Sequence, residues 1–384
     1  MDDELVTAHR DDIVVLPASA FVPGRRDAPL SERVIAAVKR NQAASKSKNT
    51  LKAYESDWAG FERWCDANGR VSLPASGETV AAYLSDRADD RTTAGAYVYA
   101  PSTLTRWLTA INVRHHAAGE LAPGTLFEVQ SALDGIRREH ARPTRRMAPL
   151  LLTDLKLALD RVDMNSYPQG LIGHRDAALL VMGFAGAFRR SELAALTVGN
   201  VVRHSEEGLR VRVTKSKTDQ TSQGRIKALP YGSNPLTCPP CTFLRWVRVL
   251  DAVTNQGRPA TMRLLDRSDP SDHICRGPAD EMKRLEKDSP LFRSFRRGGH
   301  LQSSAISGDV VNDVVKRRLA AVGLDPTNFG GHSLRAGFVT QAMRQGSRPE
   351  EIMRQTDHKS LAMLEVYRRE NDPLRGNAVT GLGL

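Results

Sequence analysis

A histidine and a tyrosine late in the sequence have the types and spacing of a nucleophile and its activator. The stretch TDHKSLAMLEVYRRE (356–370) places Tyr367 on a predicted short helix, nine residues after His358 and directly before two arginines. A tyrosine hydroxyl, with a pKa of about 10, is a weak nucleophile at neutral pH. Adjacent cations and a histidine that accepts its proton would activate it. Because most tyrosines in such helices serve only in packing, the hypothesis requires partners elsewhere in the chain.

Three further patterns supply the groups that such a tyrosine would need. GAFRRSELAAL carries Arg189 with Glu192 three residues later, and TKSKTDQ carries Lys217 near a predicted hairpin turn. GGHSLRAGFVT carries His332 and Arg335, which share one face if the segment is helical. Each pattern alone is typical of ordinary structure, as a surface ion pair, a solvated lysine or a chance pairing. Their joint presence and order favour a common function.

Together these groups predict phosphoryl transfer. Two arginines offer planar, bidentate donors for phosphate oxygens. Fixed cations at those oxygens stabilise the charge that builds up in the transition state. A lysine on a hairpin would protonate the departing 5′ oxygen, and no group in the set requires a metal or another cofactor. The expected product is a DNA strand joined through its 3′ phosphate to the tyrosine.

The motifs resemble those of the tyrosine recombinase, or phage integrase, family over residues 45–384. The matching motifs are AFRRSEL, SKTDQ, HSLRAG and TDHKS, with the tyrosine nine residues after the last histidine. The resemblance implies that the catalytic residues are Arg189, Lys217, His332, Arg335, His358 and the nucleophile Tyr367.

Three positions depart from the family pattern or leave a choice. Asp357 precedes His358 where the family often has glycine. Arg190 competes with Arg189 for the first arginine position, but the spacing to the glutamate favours Arg189. Lys215 competes with Lys217, and the SKTDQ turn favours Lys217.

The resemblance implies a site-specific DNA recombinase or integrase that serves mobile DNA. Its expected partners are double-stranded DNA with specific recombination sites and a homotetramer that exchanges strands through a Holliday junction. Accessory DNA-bending proteins are further candidate partners, and the tail NDPLRGNAVTGLGL is expected to dock on a neighbouring protomer. The alternatives are a type IB topoisomerase and a DNA-binding accessory protein without catalysis. A metal-dependent nuclease is disfavoured because the sequence shows no clustered carboxylates.

Composition agrees with a nucleic-acid partner. The 384 residues include 55 Lys and Arg against 44 Asp and Glu, a formal net charge of +11, which favours a polyanion. Four cysteines do not make a disulfide framework, so a cytoplasmic location is expected. The acidic start is unlike a signal peptide. The apolar run AALLVMGFAGAF (177–188) is shorter than the about 20 residues of a membrane span, so we expect a buried helix and no membrane partner.

The elements that would position the site are mainly helical. We expect a flexible extension over 1–44, a helical core-binding (SAM-like) domain over 45–139, a linker over 140–149 and a catalytic domain over 150–384. In the first domain, Asn49 or Thr50 is the expected N-cap of a long amphipathic helix. The catalytic domain should carry a small antiparallel sheet within 208–230 and a polar inserted loop over 254–289. The family resemblance implies that the two domains form a C-shaped DNA clamp.

A run of arginines spans the predicted linker and the helix before it. The segment RREHARPTRRMAP (137–149) contains two prolines that stiffen it. Such a segment fits a chain that runs beside an anionic surface, although it also fits a solubilising loop. The candidate DNA-binding residues are Arg137, Arg138, Arg142, Arg145 and Arg146.

One group of soft ligands lies apart from these motifs. Cys238 and Cys241 form CPPC, and His273 and Cys275 follow as HIC, so four zinc-type ligands occur in two close pairs. A single residue between the members of the second pair is unusual spacing for zinc. The prolines in CPPC also fit a rigid loop that leads into the helix TFLRWVRVL. The sequence alone therefore favours the loop over a zinc site.

Overall fold

The computed structural model describes residues 31–44, 46–141, 146–214 and 224–371, together with Val379 and Leu382. The chain divides into two compact units, Met1–Thr144 and Arg145–Leu384. The division lies inside the segment that the sequence predicts as a linker. The part of the chain that is described is mainly helical with a small antiparallel sheet, as predicted.

The first unit is built from helices around an aromatic core. Phe61 and Tyr83 lie with ring centroids 5.0 Å apart, and Trp107 stacks on Tyr83 at 5.8 Å. The amphipathic spacing of these residues explains the burial, because each helix turns its apolar stripe inward. The helices described in this unit are α1 (Glu32–Ala44), α2 (Lys48–Ala67), α3 (Gly77–Ala88), α4 (Pro101–Ala118) and α5 (Phe127–Glu139).

Helix α2 begins earlier than the sequence predicts. Ser47 is its N-cap, and the Ser47 hydroxyl accepts a hydrogen bond of 3.1 Å from the backbone N–H of Thr50. The expectation of Asn49 or Thr50 as the cap is wrong, because serine three residues before an unpaired N–H satisfies that donor better.

The second unit contains helices and two small sheets. Its helices are α6 (Leu152–Asp160), α7 (Gln169–Ala185), α8 (Arg190–Ala194), α9 (Pro239–Asp251), α10 (Arg258–Asp266), α11 (Glu281–Arg284), α12 (Gly308–Ala320), α13 (Gly331–Arg344), α14 (Pro349–Thr356) and α15 (Leu361–Asn371). Its strands are β1 (Val201–His204), β2 (Gly208–Val213), β3 (Arg225–Pro230), β4 (Arg293–Arg296) and β5 (His300–Ala305).

The predicted antiparallel sheet is present in the order β1-β2-β3, with β2 and β3 inside the predicted span 208–230 and β1 before it. On β3 the buried positions alternate, as expected for a strand with one face on the core. Lys227 occupies one of those buried positions and pairs with Val211 of β2. A lysine therefore stands where the strand pattern calls for an apolar side chain. The β4–β5 hairpin forms a separate sheet that the sequence did not predict.

Helix α7 is the central element of the second unit. It packs against α9, α12 and α13, and it contains most of the apolar run that the sequence predicts as a buried helix. Its fully buried Asp176 binds three guanidinium groups, those of Arg175, Arg317 and Arg318. These ion pairs join α7 to α12, and removal of the carboxylate would leave buried positive charge uncompensated.

Close packing also positions α13. A Cβ on Gly337 would lie 1.8 Å from the carbonyl oxygen of Leu150, so only glycine allows this approach. The Leu150 N–H in turn donates a 3.0 Å hydrogen bond to the carbonyl of Ser333. Helix α13, with the HSLRAG motif, is thus held against the segment that precedes α6.

The polar segment 254–289 is not simply a loop. Helices α10 and α11 lie within it, and Thr261 and Leu265 anchor α10 with almost no exposed surface. Because this segment has few apolar residues, its sequence pattern did not predict these helices. Among the described residues, no helix combines the length and apolar character that crossing a membrane requires.

The buried His174 on α7 predicts a pH dependence of stability. Burial, and then the nearby Arg245, lower its pKa from 6.5 to about 4, while its hydrogen bond to the Met164 carbonyl acts weakly in the opposite direction. Below pH 6.5 the unfolded chain takes up a proton that the folded chain excludes. His174 therefore contributes stability above pH 6.5 that is lost as the pH falls towards 4, about 2 kcal/mol of it between pH 7 and pH 5.

Urea denaturation of the wild type and of His174→Gln at several pH values would measure this contribution. The free energy of unfolding of the variant should fall less steeply between pH 6.5 and 4. Parallel profiles for the two proteins would show that His174 does not titrate as described.

Candidate active site

The start of α8 fixes the first predicted arginine. Arg189 is the residue before the helix, and its backbone N–H donates a 3.0 Å hydrogen bond to Glu192 Oε2. Its guanidinium Nη1 donates to Glu192 Oε1 at 2.6 Å, while Glu192 itself is buried. The glutamate three residues along the chain therefore holds both the backbone and the side chain of Arg189. The neighbouring Arg190 instead pairs with Asp309 of α12 at 2.9 Å on the exposed surface.

Helix α13 brings the second predicted arginine to the same place. Arg335 is 3% exposed, and its Nη1 donates a 2.8 Å hydrogen bond to the carbonyl of Ala187. Burial, and then the nearby Arg189, lower the pKa of Arg335 to about 10, while Glu192 and Tyr367 act in the opposite direction. Two guanidinium groups are thus held side by side, with Glu192 as a nearby counter-charge.

Tyr367 on α15 contacts the first histidine of the site. Its hydroxyl lies 3.0 Å from Nε2 of His332, which begins α13. His332 reaches the surface, yet the surrounding protein and the guanidinium groups of Arg335, Arg146 and Arg189 lower its pKa. The neutral imidazole is therefore favoured at pH 7, and a neutral Nε2 can accept the proton of the tyrosine hydroxyl.

His358 is also close to Tyr367, with ring centroids 5.7 Å apart. Its Nδ1 lies 3.0 Å from Thr356 Oγ1, and that hydroxyl donates its own proton to the Ile352 carbonyl. Nδ1 of His358 therefore carries the hydrogen, which leaves Nε2 as the unprotonated nitrogen. Burial lowers the pKa of His358 to about 4, and Arg335 and Arg189 add to this effect.

Asp357 occupies the position where glycine was expected from the family resemblance. Its φ of 64° and ψ of 38° lie in the left-handed region, which favours glycine and next tolerates Asn or Asp. Its carboxylate pairs with Arg225 of β3 and lies 3.9 Å from Arg189 Nη1. The departure thus keeps the backbone turn and adds a negative charge beside the arginines.

Lys227 is a site residue that the sequence analysis missed. Its ammonium donates a hydrogen bond to the Gln355 carbonyl and lies 5.2 Å from the centroid of the Phe188 ring. Burial is the main reason that its pKa is lowered to about 8. Glu192 acts in the opposite direction, and Arg335, Arg189 and Arg225 add to the lowering. The signal in the sequence was a lysine at a core-facing position of a strand.

Five of the six predicted catalytic residues come together in one cluster. They are Arg189, His332, Arg335, His358 and Tyr367. Lys217 and its competitor Lys215 lie outside the described residues, as does nearly all of the tail after α15.

The predicted DNA-binding arginines have different placements. Arg146 is exposed and lies close enough to His332 to influence its charge. Arg137 and Arg138 are exposed on α5 of the first unit, where Arg137 pairs with Asp134 at 2.9 Å. Arg142 and Arg145 lie outside the described residues.

The cluster has the chemistry of an oxyanion receptor with a nucleophile at its edge. Arg189, Arg335 and Lys227 place three cations around Glu192, and burial makes their mutual repulsion stronger than it would be in water. A phosphate would relieve that repulsion while Tyr367 lies within reach of a proton acceptor. This combination suits nucleophilic substitution at phosphorus.

Sequence comparison identifies relatives that share most of the chain, although no family model matches it. An integrase/recombinase described as a XerD homolog, from Selenomonas ruminantium, is 34% identical over 352 residues, which cover 91% of this chain and 89% of the relative. The recombinase Cre of Escherichia phage P1 is 23% identical over 337 residues, or 87% of each chain.

Solved structures give weaker similarities. A lambda integrase dimer bound to a COC′ core site is 15% identical, covering 88% of this chain and 95% of that chain, with a TM-score of 0.49. The XerH site-specific recombinase bound to difH substrate is 13% identical, covering 83% and 76%, with a TM-score of 0.47. Because both TM-scores are below 0.5, family membership rests on the sequence similarity. At 34% identity over 91% of its length, the chain belongs to the tyrosine recombinase family of site-specific recombinases and integrases.

Proposed function

We propose that this recombinase cuts and rejoins DNA through a covalent bond between Tyr367 and a 3′ phosphate. The observation that carries the proposal is the 3.0 Å contact between the Tyr367 hydroxyl and Nε2 of His332, beside two buried or half-buried arginines. That contact pairs a nucleophile with a base, and the arginines supply the receptor for the phosphate that it would attack.

The cleavage step follows from these positions. The Tyr367 oxygen bonds to phosphorus as the bond from phosphorus to the 5′ oxygen breaks. The tyrosine proton passes to neutral His332, and a lysine returns a proton to the departing 5′ oxygen. Rejoining is the reverse, with a 5′ hydroxyl as nucleophile and Tyr367 as leaving group. The energy of the phosphodiester is kept in the tyrosyl bond, so neither ATP nor a metal is required for the exchange.

The cations divide the charge of the phosphate between them. Arg189 and Arg335 bind the non-bridging oxygens through parallel N–H donors. His358 has an unprotonated Nε2 in the free protein, since its Nδ1 hydrogen is donated to Thr356. An incoming phosphate raises the pKa of the imidazole, so His358 takes up a proton on binding and becomes a third donor.

The two lysines of the β2–β3 region have separate roles in this proposal. Lys217, as the sequence predicts, is the general acid for the 5′ oxygen. Lys227 is a positioning residue, because its ammonium already donates to the Gln355 carbonyl and packs on the Phe188 ring. Its charge balances Glu192, which in turn orients Arg189.

DNA recognition and assembly complete the proposed activity. The candidate phosphate contacts are Arg137, Arg138, Arg142, Arg145 and Arg146. Their contribution is electrostatic, so binding should weaken steeply as salt increases. The relatives include proteins solved on DNA, such as the XerH and lambda integrase complexes. As the family membership implies, two protomers would bind each specific site, and a homotetramer would exchange strands through a Holliday junction, with the tail docking on a neighbour.

A trapping experiment tests the nucleophile. Nicked duplexes tiled across the DNA that flanks the gene are incubated with the protein. When the nick lies a few nucleotides downstream of the cut, the short fragment that carries the 5′ hydroxyl dissociates, and rejoining is prevented. We expect a denaturation-resistant adduct with one duplex, mapped to Tyr367 by peptide mass spectrometry. Tyr367→Phe, which keeps the ring and its packing, should bind the same duplex and give no adduct.

An adduct on another residue would contradict the proposal. So would an unchanged adduct yield in Tyr367→Phe. If none of the tiled duplexes gives an adduct, the same assay with randomised duplexes decides whether any sequence is cut. Tight binding to a selected duplex without an adduct would overturn the proposal in favour of a DNA-binding protein without catalysis.

A second experiment separates the two lysines. Lys217→Met should slow adduct formation by about 10²-fold, as expected for loss of a general acid. Replacement of the 5′ bridging oxygen by sulfur provides a leaving group that needs no proton, so it should restore the rate of Lys217→Met. Lys227→Met should also be slower but should not recover on the sulfur substrate, because the placement of Arg189 is what it disturbs.

The measured quantity is the single-turnover rate of adduct formation for each lysine variant on the oxygen and the sulfur substrate. If the rate of Lys227→Met recovers on the sulfur substrate and that of Lys217→Met does not, Lys227 is the general acid. An unchanged rate in Lys227→Met on both substrates would remove its positioning role.

A further inference from the structure

Two pairs of soft ligands, distant from each other in sequence, meet near the surface of the second unit. Cys238 precedes α9, Cys241 lies in its first turn, and His273 and Cys275 lie in the segment between α10 and α11. The three sulfurs and one histidine nitrogen lie within 4.8 Å of one another. The three cysteines are buried and His273 is exposed, so the group is closed on one side and reachable on the other.

The separations suit a tetrahedral metal. Nδ1 of His273 lies 3.3 Å from Cys241 Sγ and 3.7 Å from Cys275 Sγ. Zinc bonds of about 2.3 Å to sulfur and about 2.0 Å to nitrogen, at tetrahedral angles, place a sulfur and a nitrogen about 3.5 Å apart. The four atoms thus need to move inward by about 1 Å or less to reach zinc geometry.

Groups around the ligands orient them for metal binding. The other nitrogen of His273, Nε2, lies 3.2 Å from the Ser233 carbonyl, which requires the hydrogen on Nε2. Nδ1 then has its lone pair directed at the sulfurs, the usual arrangement for a metal-bound histidine. The backbone N–H of Gly232 also donates a 3.3 Å hydrogen bond to Cys238 Sγ, which stabilises a thiolate.

The electrostatic surroundings favour a charged centre. Zinc with three thiolates and a neutral histidine carries a net charge of −1. Arg245 on α9 is buried and interacts electrostatically with the sulfurs of Cys238 and Cys241. Its guanidinium also donates to the carbonyls of Pro235 and Pro270, at 3.1 and 3.0 Å. The arginine thus supplies a positive charge beside the site and ties both ligand-bearing segments together.

We propose that Cys238, Cys241, His273 and Cys275 bind one structural zinc ion. The site has four protein ligands, so it holds the metal without an open position for water or substrate. Its role is to fasten the segment between α10 and α11 to the N-terminal end of α9. The one-residue spacing of His273 and Cys275, which the sequence analysis counted against zinc, is accommodated because the two side chains approach from a turn rather than from one face of a helix.

Metal analysis of the full-length protein, purified without a metal-affinity tag, tests the site. We expect about one zinc per chain after dialysis against a weak chelator, on the tetrahedral four-ligand model. His273→Asn should lose most of the metal and remain folded, because the side chain is exposed. Cys65→Ser, which alters the buried cysteine of the first unit, is the matched control and should retain zinc.

Cobalt substitution gives an independent readout. The wild type should show thiolate-to-cobalt absorption together with the visible bands of tetrahedral cobalt, and His273→Asn should lose or shift them. The proposal would be overturned if the wild type contains no zinc and also fails to give the cobalt spectrum after its thiols are reduced. A Cys238–Cys241 disulfide found in freshly purified protein by mass spectrometry would do the same.

Protease sensitivity tests the structural role. Removal of zinc should expose the segment between α10 and α11 to limited proteolysis, with cleavage between residues 267 and 280. If zinc is present and its removal leaves the cleavage pattern unchanged, the fastening role is refuted. None of these measurements depends on recombination, so their outcome is separate from that of the adduct assay.

Discussion

Positive charge concentrated around one buried carboxylate is the constraint on which the site depends. Glu192 binds Arg189 directly, and its charge also acts on Arg335 and Lys227. In a medium of low dielectric constant, like charges at this range repel strongly. Glu192 and the partly buried Asp357 offset part of that repulsion, and backbone carbonyls such as that of Ala187 offset more of it. In the proposed function, a DNA phosphate supplies further negative charge at this cluster.

The fold meets this constraint by bringing the ends of several helices together. Arg189 stands immediately before α8, His332 lies in the first turn of α13, and His358 follows α14. Close packing of α13 on Leu150, which Gly337 allows, keeps Arg335 in register with the Ala187 carbonyl. Tyr367 lies on α15, whose Leu364 packs with Val339 and Ile352 of the two helices before it. This cluster and the contact between the Tyr367 hydroxyl and His332 hold α15 against α13.

The sequence predicted those parts of the site that depend on local spacing. The intervals from Arg189 to Glu192 and from His332 to Arg335 are three residues each, and the resemblance to the tyrosine recombinase family singled out these motifs. The role of Lys227 depends on the register of β2 against β3, which no local pattern encodes. The meeting of CPPC with HIC depends likewise on how the segment after α10 folds back over more than thirty residues. The helices within 254–289 escape prediction for a related reason, since two buried residues, Thr261 and Leu265, anchor α10 there.

The central claim is that the arginines act by neutralising phosphate charge, and a charge-altered substrate tests it most directly. A methylphosphonate at the scissile position removes one negative oxygen while keeping the shape of the group. Single-turnover adduct formation is measured for Arg189→Ala on phosphate and on methylphosphonate DNA, with the exposed neighbour variant Arg190→Ala as control. The account predicts a large loss for Arg189→Ala on phosphate, a much smaller loss on methylphosphonate, and little effect of Arg190→Ala on either. Equal losses for Arg189→Ala on both substrates would contradict it.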